Sequence, residues 1–269
     1  GHGSQMMTSA WIPWVIWSIL RLYDRANISN IGILGLISGF QLQRGHVQIA
    51  YYSWLAAGLL ILMLVFNSNN KQIRWILYSF VGLLLGLLMA MWIYLPALNY
   101  TPFSIRGASI DGGTGFQYAT AWSFSFGEMT TFLIPSYYGF GGGTYWGSMP
   151  FTDYPNYMGI IVLIFSIIGI VFYSKKIKWY FIATALISLL LSFGKNFFLY
   201  EIFYNYLPFF NKFRVPVMLL ILMQFSISVL AALGLATTIK LLSKQKIKNN
   251  LFKVLSVPIL ILFIIFVLR

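Results

Sequence analysis

Runs of roughly 17–25 apolar residues recur along this chain, each long enough to carry a helix across a hydrocarbon core about 30 Å thick. In lipid a backbone amide finds no water, so each N–H and C=O must be bonded within its own helix or within a closed barrel. The run at residues 160–173 is apolar throughout and lacks the in–out alternation of a barrel strand. Helices remain, and the sequence predicts an all-α fold, a polytopic transmembrane bundle. Composition agrees: 59% of the 269 residues are hydrophobic and 9% charged, against about a quarter charged in a soluble domain. The mean hydropathy is +0.79.

Expected spans cover residues 6–22, 28–42, 47–66, 75–98, 157–173, 179–193, 215–239 and 251–268, about eight helices. Residues 99–156, between the fourth and fifth, form the one long polar stretch and are expected to be an extracytoplasmic loop. A second, aromatic-rich loop at 194–214 lies on the same face. The division is therefore 1–98, 99–156 and 157–269, within one membrane domain. The net charge of +13 follows this topology. Twelve of the 18 Lys and Arg (Arg21, Arg25, Lys71, Arg74, Lys175, Lys176, Lys178, Lys240, Lys244, Lys246, Lys248, Lys253) fall in alternate turns, which the positive-inside rule assigns to the cytoplasm. Four of the five acids fall on the other side, Asp24 being the exception. The basic excess thus reads as membrane orientation, and nucleic acid is not an expected partner. Gly32, Gly35 and Gly39 are spaced to let a neighbouring helix approach closely. Cysteine is absent, which removes disulfides and thiol metal sites. No initiator Met opens the chain and an apolar run closes it at Arg269, so both ends are expected to be cuts through a longer protein.

Residues able to carry chemistry concentrate at 99–156. Glu128 sits in Trp122-Ser123-Phe124-Ser125-Phe126-Gly127-Glu128-Met129-Thr130-Thr131-Phe132. A carboxylate among aromatics near a membrane surface is partly desolvated and suited to proton transfer; the alternative is a structural pair with Arg106 or Arg214. Asp111, in Asp111-Gly112-Gly113, reads as a turn residue. Asp153, in Pro150-Phe151-Thr152-Asp153-Tyr154-Pro155, stays open between turn and acid. His2 and His46 fall on the outer face, where no ligand spacing indicates a metal and hydrogen bonding is the better role. Arg44, Arg106 and Arg214 stand on the side the rule leaves poor in cations. Guanidinium matches phosphate and carboxylate, and an anionic lipid headgroup is their natural partner. Trp122, Tyr137, Tyr138, Tyr145, Trp146, Tyr154 and Tyr157 belong to an interfacial belt or to a platform for sugar rings. The Gly141 to Gly143 run is not followed by Gly-Lys-Ser/Thr, so it is not a phosphate loop.

Several stretches together resemble the bacterial YfhO-type membrane proteins. They are Gly1-His2-Gly3-Ser4 with Ile12-Pro13-Trp14, Gly45-His46-Val47-Gln48-Ile49-Ala50-Tyr51-Tyr52, and Ser104-Ile105-Arg106-Gly107. Tyr118-Ala119-Thr120-Ala121-Trp122-Ser123 with Gly127-Glu128, Tyr145-Trp146-Gly147 with Pro150-Phe151-Thr152, and Asn211-Lys212-Phe213-Arg214-Val215-Pro216 complete the set. That family looks like the C-type (GT-C) glycosyltransferases. The resemblance implies a multi-pass enzyme of the bacterial cytoplasmic membrane whose functional face is extracytoplasmic. Such an enzyme takes a sugar from a polyprenyl-phosphate donor and passes it to a cell-envelope polymer or lipid. It also implies that Gly1 matches an interior family segment, so that the usual acidic residue of the first outer loop is expected upstream of this chain. On this reading Arg106 and Arg214 bind the donor phosphate, and Glu128 and Asp153 supply acid–base chemistry. His46, Trp122, Tyr145 and Trp146 contact substrate, and a divalent cation could assist. Two other classes compete. A flippase of lipid-linked saccharide would place charges near mid-membrane, where these spans have almost none. A non-catalytic membrane assembly subunit is the other.

Overall fold

A computed structural model describes residues 3–67, 74–104, 115–141, 143–152 and 156–243, with Ser256 and Leu260. Among the described residues the secondary structure is helical, with no strand. The chain divides into two compact units, each discontinuous: residues 1–121 with 198–219, and residues 122–197 with 220–269. The break between Ala121 and Trp122 cuts through the polar 99–156 interval.

The first unit begins with α1 (Gly3–Ser9) and α2 (Ile12–Asp24). A single span from Met6 to Leu22 was the expectation, and the structure interrupts it at Ala10 and Trp11. Pro13 is the physical reason: it has no N–H to donate, and its ring would collide with the carbonyl four residues back, at Ser9. In the first turn of a new helix it is tolerated. Asn27 then caps α3 (Ile28–Gln43), its side chain accepting the Asn30 N–H at 2.9 Å. α4 (Val47–Asn67) and α5 (Arg74–Tyr100) follow, and their boundaries agree with the expected spans within a few residues. A four-residue helix, α6 (Phe116–Ala119), belongs to the same unit.

Glycines set the α3–α5 contact, and they come from both helices. Gly35 packs against Leu85, and Gly39 against Met89. From the other side, a Cβ on Gly82 would stand 2.8 Å from Leu34 Cδ2, and one on Gly86 would stand 2.9 Å from the Gly39 backbone nitrogen. Gly82 and Gly86 thus complete a small-residue seam of which the sequence reading saw only the α3 side. Gly32 has open space around it and takes no part. Polar groups latch the seam at one end: Tyr94 OH donates to the Leu42 carbonyl at 2.8 Å, and Gln43 Nε2 to the Met89 carbonyl at 3.2 Å.

The expected second loop contains a helix of its own, α9 (Phe198–Tyr206) in the numbering that follows, and this too lies in the first unit. At nine residues it is too short for a hydropathy window to register. It is held by the fully buried Tyr200, whose ring meets Phe210 at 5.2 Å and Phe116 at 6.4 Å.

The second unit holds α7 (Ile160–Phe172), α8 (Ile177–Ser192) and α10 (Leu220–Ser243). α7 starts three residues later than Tyr157, because Gly159 takes a φ of 90°, outside helical space. α10 packs along both α7 and α8. Its approach to α7 is backbone to backbone: a Cβ on Gly234 would fall on the Phe165 carbonyl oxygen, and one on Gly169 on the Leu230 carbonyl. Three helical stretches, Val47–Phe66, Arg74–Phe103 and Pro216–Leu241, are long and apolar enough to cross a membrane, and α7 and α8 are shorter apolar helices. The molecule is thus membrane-associated. The expected last span, 251–268, lies outside the described residues apart from Ser256 and Leu260.

Glycine-to-alanine changes separate seam from surface. Gly86→Ala and Gly234→Ala should each cost about 1–3 kcal/mol through overpacking. Gly58→Ala in α4, where an added Cβ meets nothing within 4 Å, should be neutral or stabilising by up to about 1 kcal/mol. Thermal unfolding of the three variants in one detergent measures the difference.

Candidate functional site

Between Trp122 and the start of α7 the chain makes no long helix among its described residues, so the shape of this region depends on polar anchors. Residues 123–124 are pinned to the C-terminal end of α8. The Phe124 N–H donates to the Ser192 carbonyl at 2.9 Å, Asn196 Nδ2 donates to the Phe124 carbonyl at 2.8 Å, and the Lys195 N–H reaches Ser123 Oγ at 3.0 Å. Phe124 is fully buried, with Phe132 at 5.4 Å and Phe193 at 6.1 Å. From that anchor the chain turns into a 3-10 helix, Gly127–Phe132.

Glu128 sits in the first turn of this short helix and is 1% exposed. Ser125 and Glu128 bond reciprocally. The Ser125 N–H donates to Glu128 Oε2 at 3.0 Å, while the Glu128 N–H donates to Ser125 Oγ at 3.3 Å. This is a capping box, the pattern Ser-x-x-Glu at the start of a helix. The Ser125 hydroxyl adds a third bond, to Oε2 at 2.9 Å. Two more donors arrive from further along the chain: Ser148 Oγ at 3.1 Å from Oε2, and the Tyr145 hydroxyl, which donates to Oε1. Three hydroxyls and one amide therefore converge on one carboxylate, which sets the 127–132 turn against the glycine-bearing segment that follows it. Of the two arginines expected as partners, Arg106 lies outside the described residues and Arg214 belongs to the first unit.

The Tyr145 hydroxyl also accepts the Met149 N–H at 3.0 Å. Burial, reinforced by the bond to the Glu128 carboxylate, pushes this phenol well above the usual tyrosine range, so it stays a proton donor. The segment carrying it doubles back on itself. Gly139 and Gly141 adopt positive φ (67° and 78°), the Trp146 N–H donates to the Tyr138 carbonyl at 3.0 Å, and the Gly141 N–H to the Thr152 carbonyl at 2.6 Å. Folding back brings three rings together outside the cluster. Tyr138 and Trp146 stand 4.4 Å apart, Tyr137 is 5.0 Å from Tyr138, and Trp146 is 61% exposed. Gly127 packs against the Tyr138 hydroxyl, which an added Cβ would have to displace. Between Glu128, Tyr138, Tyr145 and Asn156 lies a small cleft with about 10 Å³ of free space, room for a single water molecule.

No family model, curated protein or solved structure matches this chain.

Of the residues singled out in the sequence, Glu128, Tyr145 and Trp146 come together here. Trp122 lies in the same unit, its indole N–H donating to the Phe151 carbonyl at 3.2 Å with the two rings edge to face. Arg214 and His46 belong to the first unit. Arg214 lays its guanidinium over the Tyr118 ring, 5.1 Å from the centroid, and donates from Nη1 to the Tyr118 hydroxyl. Its carbonyl accepts from Gln48 Nε2. The next residue, Val215, has a φ of 63° and donates its N–H to the Ala119 carbonyl at 3.0 Å. A β-branched residue in left-handed space is strained, and here it fixes where Arg214 leaves the backbone. His46 stands at the start of α4, its carbonyl accepting the Ala50 N–H at 3.2 Å and its Nδ1 the Ile49 N–H at 3.4 Å. His2, Arg106, Asp111, Asp153 and Tyr154 lie outside the described residues.

Ser125 and Ser148 are the functional neighbours that sequence reasoning missed. Ser125 could have been found, since Ser125-Phe126-Gly127-Glu128 is a legible capping box; Ser148 carried no local signal. Removing the Tyr145 hydroxyl has a pH signature. Its ionisation lies above the unfolded value of about 10, so its contribution is complete below about pH 10 and drains away as pH climbs beyond that. Tyr145→Phe should lower stability near neutrality by about 1–3 kcal/mol and flatten the alkaline loss expected of wild type. Unfolding followed from neutral to alkaline pH, with tyrosinate absorbance, checks both.

Proposed function

We propose that this chain is part of a membrane glycosyltransferase of the GT-C kind, passing a sugar from a polyprenyl-phosphate donor to a cell-envelope acceptor on the extracytoplasmic face of a bacterial cytoplasmic membrane. One observation carries the reading: a buried carboxylate, ringed by hydroxyl donors, lines one cleft with Tyr138, whose ring packs on the exposed Trp146. Sugar C–H faces pack on such rings, and sugar hydroxyls can replace the serine and tyrosine hydroxyls that now fill the carboxylate's acceptor positions.

In this reading the acceptor hydroxyl takes the place of Ser148 Oγ on Glu128 Oε2. Glu128 then removes its proton as the acceptor oxygen attacks the anomeric carbon. The bond to the donor phosphate breaks, and polyprenyl phosphate leaves with the bonding pair. Guanidinium groups are the natural stabilisers of that leaving phosphate, the part that the family resemblance gives to Arg106 and Arg214. Tyr145 holds the second carboxylate oxygen and so aims the first. Asp153 is a further acid from the sequence reading.

The described apolar spans Val47–Phe66 and Pro216–Leu241 carry no charged residue except Lys240 near one end, which argues against a flippase. An assembly subunit without catalysis draws support from a different observation. Every bond to Glu128 is already made within the protein, and the cleft beside it admits one water.

The same assay separates the two. Membranes carrying the full-length protein are supplied with a labelled polyprenyl-phosphate sugar. Glu128→Gln, which keeps the shape and part of the hydrogen bonding, should lower transfer by about 100-fold or more, while Ser148→Ala should cost only a few-fold. Equal transfer by Glu128→Gln and wild type removes the base assignment; no transfer by wild type itself, with assembly of a partner complex intact, favours the subunit.

A further inference from the structure

α2 carries two sharply different faces. Ile12, Val15, Ile16, Ile19 and Leu22 are buried where it packs on α3, α4 and α5. The opposite stripe holds Trp14, Trp17 and Arg21 at helical spacing, with the two tryptophans 53% and 41% exposed. These three side chains are not independent. The indoles meet edge to face at 5.9 Å, and the Arg21 guanidinium lies over the Trp17 ring, 5.2 Å from its centroid.

Arg21 is also held from the protein side. Its Nε donates at 2.7 Å to Oδ1 of Asn30, a side chain 2% exposed whose Nδ2 donates in turn to the Arg25 carbonyl at 2.7 Å. The Asn27 cap fixes the Asn30 backbone. An arginine that merely reached out of the bilayer toward water would need no such clamp. Among the described residues Nε alone donates to the protein, and the side chain is exposed, so neither Nη group is taken by a protein acceptor. A guanidinium pinned through Nε presents its remaining donors as a fork of fixed direction, which matches the paired oxygens of a phosphate.

We propose that Arg21, with Trp17 and Trp14, binds the phosphate of an anionic membrane lipid. The neighbouring surface selects a lipid over a soluble anion. On α3, which packs against α2, Ile28, Leu36 and Phe40 are exposed at four-residue multiples, an apolar path at spacing suited to an acyl chain. Indoles take the level between headgroup and chain, and Trp17 sits one turn below the guanidinium. Asp24 is exposed nearby, and Arg25 offsets its charge, leaving the end of the helix cationic. The proposal is independent of any reading of Glu128.

The test uses the full chain in nanodiscs of phosphatidylcholine, alone or mixed with phosphatidylglycerol. Phosphatidylglycerol should raise the melting temperature of wild type and remain bound in native mass spectra. Arg21→Lys keeps the charge but loses the Nε clamp and the fork; it should bind phosphatidylglycerol about tenfold more weakly or worse, the loss of one charge-assisted bond. Lys195→Gln, an exposed cation of the second unit, should bind as wild type. Trp17→Leu, which leaves the Arg21–Asn30 bond intact, should weaken binding two- to five-fold, about what a cation–π contact supplies; it also decides the matter if the Arg21 variant fails to fold. Wild-type affinity in Arg21→Lys and Trp17→Leu overturns the proposal. So does equal stabilisation by inorganic phosphate in phosphatidylcholine discs, which would make the ligand a soluble anion.

Discussion

Close approach of helix backbones at glycine is the constraint on which both units depend. Between helices in lipid the hydrophobic effect supplies little attraction, so van der Waals fit at small residues has to hold them together. Gly82 and Gly86 let α5 settle against Gly35 and Gly39 of α3, and Gly169 and Gly234 let α7 meet α10 with carbonyl oxygens where side chains would otherwise stand. Within the α3–α5 seam the Ser38 hydroxyl is turned back onto the Leu34 carbonyl of its own helix, and the bonds between the two helices, such as Tyr94 to Leu42, stand at its end. Helices fixed this way leave the irregular segments to be positioned by other means.

Those means are hydrogen bonds to a few buried polar atoms. In the second unit the Glu128 carboxylate gathers Ser125, Tyr145 and Ser148 from three places in the chain. Its backbone support comes from the Phe124 amide and carbonyl, tied to Ser192 and Asn196. In the first unit Asn30 gathers Arg21 and Arg25, and Gln48 reaches the Arg214 carbonyl. The same logic serves structure and chemistry. A buried carboxylate needs donors to offset its desolvation, and a set of donors that a substrate hydroxyl can replace is also what acid–base catalysis requires. Glu128 fills its structural part completely, and its proposed chemical part depends on one of its hydroxyl partners yielding.

Different residues were legible to different degrees. The Ser-x-x-Glu spacing at Ser125 and Glu128 is local, as is the proline that divides α1 from α2 at Pro13; both rules operate within one turn. The helix at 198–206 was hidden because nine residues rich in tyrosine fall below any spanning window, and its stability comes from Tyr200 meeting Phe116 and Phe210, far away in sequence. The aromatic residues at 137–146 were visible as a composition. That Tyr138 and Trp146 form one wall follows only from the turn through Gly139 and Gly141.

The sequence by itself determined an all-helical, membrane-associated chain, because uninterrupted apolar runs leave the backbone no way to satisfy its hydrogen bonds in lipid except helix. It also placed α4 and α5 to within a few residues, since hydropathy changes sharply at their ends. Only the tertiary structure decided which glycines face each other, that hydroxyls from Ser125, Tyr145 and Ser148 meet at Glu128, and that Arg21 is clamped through its Nε. Those outcomes depend on side chains brought together from distant positions, and no local rule of periodicity or spacing carries that information.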